Sequence, residues 1–208
     1  MLGTSNHNYA LRQKMINPET PTTDLIKRYI KKFNNDERYY LADQAIIKLF
    51  EAFPDNKKLE DILLKISVIN DLYSTNIYGT FTMAKHIKRL EIDKKLKRGN
   101  PELVKDIATG HGIRTSRNNK EIKFYSFATK YCNWHNQEQY AIYDSFVEKI
   151  LLAYRRKDNF SEFKNADLKK FKRFKSIIDD FVNFYGLNHH NLKEIDKFLW
   201  IYSKELNR

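Results

Sequence analysis

Apolar residues recur every three or four positions along most of this chain, and this spacing constrains the fold more than any other feature of the sequence. The first such segment begins at Asp24, and one face of the helix it predicts carries Leu25, Ile26 and Tyr29. Alternation of apolar and polar residues, which is typical of strands, nowhere extends convincingly beyond four residues. The sequence therefore predicts an all-α fold, and it contains no internal repeat.

Breaks between the periodic segments predict where each helix ends. Pro54 ends the second helix, Gly110 and Gly112 close a short one, and Gly186 separates the last two. We read residues 1–21 as an N-terminal tail or arm, and the polar stretch 111–120 as a loop. After the first helix, the predicted helices cover about residues 39–53, 59–73, 80–92, 102–108, 122–132, 145–157, 166–185 and 192–206.

The composition describes a folded basic protein. Hydrophobic residues make up 41% of the 208 residues, enough for a buried core, and 38 Lys and Arg against 26 Asp and Glu give a net charge of +12. Such a field attracts polyanions, of which nucleic acid is the commonest partner. No apolar run approaches the length of a membrane span, and the first residues lack the apolar core of a signal peptide. We therefore expect a cytoplasmic protein with no membrane partner.

Several common site types do not fit the sequence. The single cysteine, Cys132, excludes an internal disulfide and any multi-cysteine metal centre. The six histidines form no HExxH motif, and the adjacent His189 and His190 point to different faces of a regular element. No GxxxxGK[ST] loop is present for ATP phosphates. We predict no metal and no cofactor.

Two basic segments are candidates for contact with a phosphate backbone. In the helix predicted over 166–185, Leu168, Phe171 and Phe174 belong to the buried stripe, so its lysines face outward. The second candidate is the segment 85–98 together with Arg114 and Arg117 in the loop that follows it. A charged face that only meets solvent is the alternative interpretation of both segments.

Lys130 stands alone among aromatic residues. From Phe124 to Asn136 it is the only Lys, Arg, Asp or Glu, and helical spacing puts Phe127 and Trp134 on its own side. Burial in an apolar pocket penalises the ammonium form, so it lowers the pKa of a lysine and makes the amine nucleophilic. We therefore interpret Lys130 as a candidate nucleophile; an ordinary solvated lysine is the alternative.

Asp144 opens the next predicted helix after a short polar loop. A carboxylate at that position accepts hydrogen bonds from the first-turn amides and stays ionised, while one oxygen can point into a cleft. A plain N-cap would also explain this aspartate completely. The pair of Lys130 and Asp144 thus suggests an active site without establishing one.

The segments FATKYCNW and YAIYDSFV resemble the lysine and aspartate segments of the helix-hairpin-helix DNA glycosylases, in particular the 8-oxoguanine glycosylase-like branch. Lys130 and Asp144 match that family's two key residues, and 14 positions separate them. The stretch INDLYSTNI, residues 69–77, is similar to the loop that the family wedges into the duplex, which makes Asn76, with Ser74 or Thr75, the wedge. The family's glycine-rich phosphate-binding turn is missing, because no glycine occurs in residues 125–128.

The resemblance implies a two-lobed helical fold with the active-site cleft between the lobes. One lobe would comprise residues 22–57 and 143–208, and the other residues 58–142. The implied enzyme is a monomer that binds double-stranded DNA, flips out an 8-oxoguanine-like base and excises it through a Schiff base on Lys130, followed by AP lyase cleavage. Trp134 would form one wall of the base pocket, and Trp200 or Phe198 the other, although Phe198 also suits the core.

Two other classes of protein keep part of this pattern. A non-catalytic basic helical protein could bind nucleic acid with Lys130 on a phosphate and Asp144 as a mere cap. A helical interaction module could present the basic face to an acidic protein partner. Only the glycosylase hypothesis predicts covalent chemistry at Lys130.

Overall fold

The protein is built from α-helices joined by short loops. The computed structural model describes residues 16–207, and within that range the extended pairing is limited to one isolated antiparallel bridge between Arg114 and Glu121. The all-α prediction is therefore confirmed. The helices are α1 Thr23–Asn35, α2 Glu37–Ala52, α3 Leu59–Leu72, α4 Thr80–Leu90, α5 Asp93–Lys97, α6 Glu102–Ala108, α7 Tyr125–His135, α8 Ser145–Asp158, α9 Phe171–Phe184 and α10 Leu192–Leu206, with a 3-10 helix at Asn165–Lys169.

Two predicted helices differ in the structure, one ending early and one being divided, and the backbone gives the reason. The segment predicted over 80–92 stops at Leu90 because Glu91 adopts the left-handed conformation, with φ 48°. The segment predicted over 166–185 is interrupted by the extended backbone of Lys170, which joins the 3-10 helix to α9. Its apolar stripe is nevertheless buried as expected, with the lysines at 169, 170 and 172 exposed.

Side-chain caps fix the starts of several helices. The Thr22 hydroxyl accepts from the Leu25 amide at 3.2 Å, and the Asp36 carboxylate accepts from the Tyr39 amide at 3.2 Å. Asn191 starts α10 with a reciprocal capping box. These short polar residues act where the sequence breaks between apolar segments.

The buried apolar side chains form one connected core with α7 inside it. Every side chain from Phe127 to Trp134 on α7 is buried, and α3, α5, α6 and α2 all pack against this helix. Toward the other end of the molecule, α10 packs against α1 and α8. Most side chains on α7 are therefore packed against other parts of the protein.

The described end of the predicted N-terminal arm is extended and held against α8 and α10; residues 1–15 of the arm lie outside the described residues. Tyr154 donates its hydroxyl to the Glu19 carbonyl at 2.9 Å, and Lys157 donates to the Pro18 carbonyl at 2.8 Å. The Glu19 amide donates to the Tyr202 hydroxyl at 2.6 Å. These bonds tie residues 18 and 19 to the C-terminal helices.

Lys65 on α3 is fully enclosed in the core, a position that sequence analysis did not single out. Its ammonium donates to the carbonyls of Phe53 and Asp55 at 3.1 and 2.7 Å and to the Asn56 side-chain oxygen at 3.0 Å. The Asn56 amide groups in turn donate to the Asp93 carboxylate at 2.7 and 3.1 Å. This network joins the turn after α2 to α3 and α5 through buried hydrogen bonds.

None of the helices described in residues 16–207 combines the length and the apolar character needed to cross a bilayer.

Candidate active site

Lys130 lies in the enclosed part of α7, with its side chain turned toward the start of α8. The residue is 2% exposed, and its amine donates to the Ser126 hydroxyl at 2.6 Å. The amine also lies 3.5 Å from the Tyr143 carbonyl oxygen and 5.4 Å from the centre of the Tyr73 ring. Hydroxyl, carbonyl and aromatic face are neutral neighbours, so none of these direct contacts supplies a full opposing charge.

The surroundings of Lys130 lower its basicity. Burial holds the pKa of the Lys130 amine below its ordinary value of 10.5, against the opposing influence of the Asp144 and Asp196 carboxylates. The lowered pKa raises the fraction of neutral amine near pH 7. A neutral amine is the form of lysine that can attack an electrophilic carbon.

Asp144 caps α8 and directly follows Tyr143, whose carbonyl oxygen lies near the Lys130 amine. One carboxylate oxygen, Oδ1, accepts from the Phe146 and Val147 amides, each at 2.9 Å. These two bonds hold the carboxyl group at the positive end of the α8 dipole. The predicted cap is confirmed, and the cap leaves the second carboxylate oxygen available to the cavity described below.

Thr129 fixes the spacing between the two residues, and sequence analysis missed it. The Tyr143 amide donates to the Thr129 hydroxyl at 3.1 Å, and that hydroxyl lies 3.4 Å from the Tyr143 carbonyl oxygen. Because Thr129 is fully buried on α7, these contacts hold the backbone before Asp144 against the helix that carries Lys130. A threonine inside an apolar helix gave no sequence signal for this role.

Lys130 and Asp144 line the same cavity, which has a volume of about 630 Å³. This volume falls within the range of about 300–1,000 Å³ that is usual for ligand pockets. The cavity lies among α1, α2, the end of α3, α7, the start of α8 and α10. Its lining includes Asp43, Tyr73, Lys130, Asp144, Asp196 and Trp200.

Trp200 contributes an aromatic wall to this cavity. Its ring meets the Tyr39 ring edge-on at 5.0 Å between centroids, and it meets the Phe33 ring at 6.1 Å. Phe33 and Tyr39 line the cavity as well. Such a cluster offers an apolar surface to a planar ligand. Phe198, the other residue considered for this wall, is fully buried in the core.

The predicted positions of Phe127 and Trp134 require correction. Both are buried in the core, and neither lines the cavity. Trp134 supports the cavity wall from behind: its indole NH donates to the Tyr73 hydroxyl at 3.1 Å, and the Lys193 amine lies 3.8 Å from its ring centre. Tyr73 occupies the wall that was assigned to Trp134.

The predicted wedge residues lie in the loop after α3, beside a smaller depression of about 280 Å³. Asn76 lines this depression and has a left-handed backbone, with φ 58°. Thr75 donates its hydroxyl to the Asn70 side-chain oxygen at 2.9 Å, and this oxygen also accepts from the Ile77 amide at 2.8 Å. Asn70 thus holds the loop in shape, and the neighbouring Tyr78 is 90% exposed.

Arg114 and Arg117 are exposed in the loop between α6 and α7 and do not line the cavity. Arg114 donates to the Asn119 carbonyl at 2.8 Å, which closes the tip of that loop. The two arginines thus belong to the exposed surface of this loop and not to the cavity that Lys130 lines.

Sequence analysis also missed a charged group on the cavity side of α10. Lys193 and Lys197 both pair with Asp43 of α2, at 3.0 and 2.9 Å. Asp196 lines the cavity on the same helix face. The spacing of these three α10 residues and Trp200 was a usable signal, since positions 193, 196, 197 and 200 share one helical face. Among the described residues, no cluster of three or more His, Cys, Asp or Glu is arranged to hold a metal.

These features define an all-α protein with a buried lysine and a capping aspartate on one cavity. By sequence, the chain belongs to the HI_0787_N family, an N-terminal domain family that matches residues 25–139. That match includes Lys130 and ends before Asp144. An uncharacterized protein of Haemophilus influenzae (strain ATCC 51907 / DSM 11121 / KW20 / Rd) is 42% identical over 153 residues, which cover 73% of this chain and 71% of the relative. No solved structure matches the chain.

Proposed function

We propose that this protein is a DNA glycosylase with AP lyase activity, which excises a modified, 8-oxoguanine-like base from double-stranded DNA. The observation that carries the proposal is the placement of a buried amine of lowered pKa and a helix-capping carboxylate on one cavity. The net charge of +12 supports a polyanionic partner, and the resemblance of the segments around Lys130 and Asp144 supports the reaction class.

The chemistry follows from the two side chains. Neutral Lys130 would attack C1′ of the flipped nucleotide, so that a C1′–Nζ bond forms while the bond from C1′ to the base breaks and its electron pair leaves with the base. The ionised Asp144 would stabilise the positive charge that develops on the sugar. Ring opening then yields a Schiff base, from which β-elimination cleaves the strand. Lys130 itself supplies the nucleophile, so these steps call for no cofactor.

The two-lobed architecture is part of this proposal. Tyr73, Ser126 and Lys130 would come from a central lobe of residues 58–142, and Asp144 and Trp200 from a lobe of residues 22–57 and 143–208. That cavity residues come from both ranges supports a cleft between lobes. The loop with Thr75 and Asn76 would enter the duplex beside the extruded base, with the exposed Tyr78 next to it. A monomer in the cytoplasm suits this role.

Borohydride trapping tests the proposal directly. Duplexes that each carry one modified base, including 8-oxoguanine, are incubated with the protein and sodium borohydride and then separated on a denaturing gel. We expect a covalent protein–DNA complex with at least one modified duplex and none with the unmodified duplex. Binding to every duplex without a covalent complex or an alkali-labile site on any of them would instead support a non-catalytic nucleic-acid-binding protein.

Replacement of Asp144 by asparagine separates its chemical role from its capping role. Asparagine caps helices about as well as aspartate, so we expect the melting temperature of Asp144→Asn to stay within a few degrees of wild type. Loss of the negative charge should slow base release by about 10²–10³-fold in single-turnover assays.

Asp36→Asn is the matched control, because Asp36 caps α2 in the same way and does not line the cavity. It should leave base release unchanged. If Asp144→Asn instead lowers the melting temperature and releases base at the wild-type rate, Asp144 is only a cap.

A further inference from the structure

Helix α10 presents one polar face to the cavity, and Lys193, Asp196 and Lys197 on this face have different environments. Lys193 and Lys197 are both engaged with the Asp43 carboxylate of α2, at 3.0 and 2.9 Å. These two lysines and Asp43 are largely buried, with side chains 18%, 16% and 8% exposed. The charges of this group are thus mutually compensated apart from one positive unit.

Asp196 lies between the two lysines in sequence but forms no ion pair with either of them. No other side chain or backbone group in residues 16–207 makes a hydrogen bond with its carboxyl group, and no Lys, Arg or His nitrogen there lies within the 4.0 Å of an ion pair. Its carboxyl group lines the cavity that Lys130 and Asp144 also line. A partly buried acid with free hydrogen-bonding capacity at a cavity wall is available to a ligand.

The charges that face Asp196 come from four elements. Lys193 on its own helix and Lys130 on α7 favour its ionised form, while Asp43 on α2 and Asp144 at the start of α8 disfavour that form. Arg38 and Lys204 also line the cavity, as does Asp71 of α3. Burial is the largest influence, and together these effects raise the pKa of the Asp196 carboxyl to about 7.

We propose that Asp196 is the acid of this site, which protonates the base as it departs from the sugar. The proposal rests on the proposed glycosylase function and adds a residue to it. In the balanced step, the Lys130 nitrogen bonds to C1′, the bond from C1′ to the base breaks, and the base nitrogen takes the proton of the Asp196 carboxyl group. The resulting Asp196 carboxylate then accepts a proton from the positively charged secondary amine on Lys130, which restores the acid.

The geometry favours this division of labour between the two aspartates. Asp144 accepts two backbone amide bonds at 2.9 Å, so its carboxyl group is already engaged as an acceptor at the start of α8. Asp196 has no such donors and lies on the helix that also carries Trp200, the aromatic wall against which a base would stack. Two carboxyl groups in different environments thus match two roles.

Comparison of two substrates tests the role of Asp196. On a duplex with the modified base found by trapping, we expect Asp196→Asn to slow base release by about 10²–10⁴-fold. On a duplex with a preformed abasic site there is no base to protonate, so strand cleavage and borohydride trapping should stay within about threefold of wild type. The amide is not penalised by burial as a charge is, so the variant should fold with an unchanged or higher melting temperature.

The pH profile of base release distinguishes a chemical role of Asp196 from a packing role, because a residue that only packs would leave the profile unchanged. In the wild type, the rate of base release should rise with pH as Lys130 loses its proton and fall at higher pH as Asp196 loses its proton. The two limbs of this profile report the coupled groups. Asp196→Asn should lose the falling limb, and Asp196→Glu should recover it. Asp24→Asn, which alters an exposed carboxylate of α1 outside the cavity, should change neither limb.

Two results would overturn the assignment. Equal loss on the base-containing and abasic duplexes would show that Asp196 only shapes the site, and an unchanged falling limb in Asp196→Asn would assign that limb to another group. A wild-type protein that neither excises a base nor traps any duplex would defeat the glycosylase proposal itself, and this outcome is recognised before any variant is made.

Discussion

We expect Lys130→Gln to abolish the covalent complex with modified DNA in the trapping experiment, with a loss of at least about 10³-fold in base release. Glutamine has no nucleophilic amine, but its side-chain amide can still donate to the Ser126 hydroxyl that Lys130 contacts at 2.6 Å. The fold should therefore persist, and so should binding to DNA, because a buried lysine adds little to the exposed basic surface. Filter binding at several salt concentrations, together with trapping, measures both expectations.

Lys123→Gln is the matched control for this substitution. Lys123 is exposed just before α7, so its replacement removes the same charge close to the same helix. We expect it to trap DNA as wild type does. A covalent complex that persists in Lys130→Gln, with the DNA attached to another lysine on peptide mapping, would sink the assignment of the nucleophile.

Lys65→Met should destabilise the protein by about 3–5 kcal/mol, as measured by urea unfolding. Methionine is long enough to occupy much of the lysine's space, but it donates no hydrogen bond. The carbonyls of Phe53 and Asp55 would each lose a donor, at about 1–3 kcal/mol for a group left without a partner, while the Asn56 side-chain oxygen would keep the Tyr131 hydroxyl as a donor. Lys57→Met, an exposed change two residues from Asp55, should stay within about 0.5 kcal/mol of wild type.

The pH dependence of stability adds a second measurement on Lys65. Burial lowers the pKa of the Lys65 amine from 10.5 to about 8 in the folded protein. Between these two values the unfolded chain binds more protons, so the stability contributed by Lys65 rises with pH through this window. The stability difference between wild type and Lys65→Met should grow by about 3 kcal/mol from pH 8 to pH 10.5. A constant difference would mean that Lys65 keeps its ordinary pKa.

The periodicity of the sequence predicted the helices well because amphipathic segments leave a clear pattern. It failed where the conformation of one residue decides the end of a helix. At Glu91, a left-handed φ of 48° separates α4 from α5. A glutamate at this position does not predict the left-handed conformation. The break at Lys170 is similar, since a lysine there fits a continuous helix equally well.

The site was predictable to the extent that it depends on neighbours in the chain. The isolation of Lys130 among aromatic residues predicted its burial, and the loop before Asp144 predicted its cap. Contacts between distant segments gave no such signal: Asp43 meets α10 across 150 positions of sequence. Trp134 was misplaced because most of α7 is buried, so a residue one turn away from Lys130 packs into the core and does not face the cavity.

The hydrogen bonds between Thr129 and Tyr143 make Lys130 and Asp144 parts of one local unit, residues 126–147. Contacts inside this unit fix the positions of the two residues relative to each other. The opposite wall belongs to α2 and α10 and carries Asp43, Asp196 and Trp200. In the proposed enzyme, the nucleophile and the aromatic wall that would meet the base thus come from separate stretches of chain, although α10 also carries the proposed acid, Asp196. We expect that homologues that keep Asp196 could acquire new base preferences through other changes in α10, and that exchanging α10 between relatives that share this aspartate would transfer the preference and leave the covalent step intact.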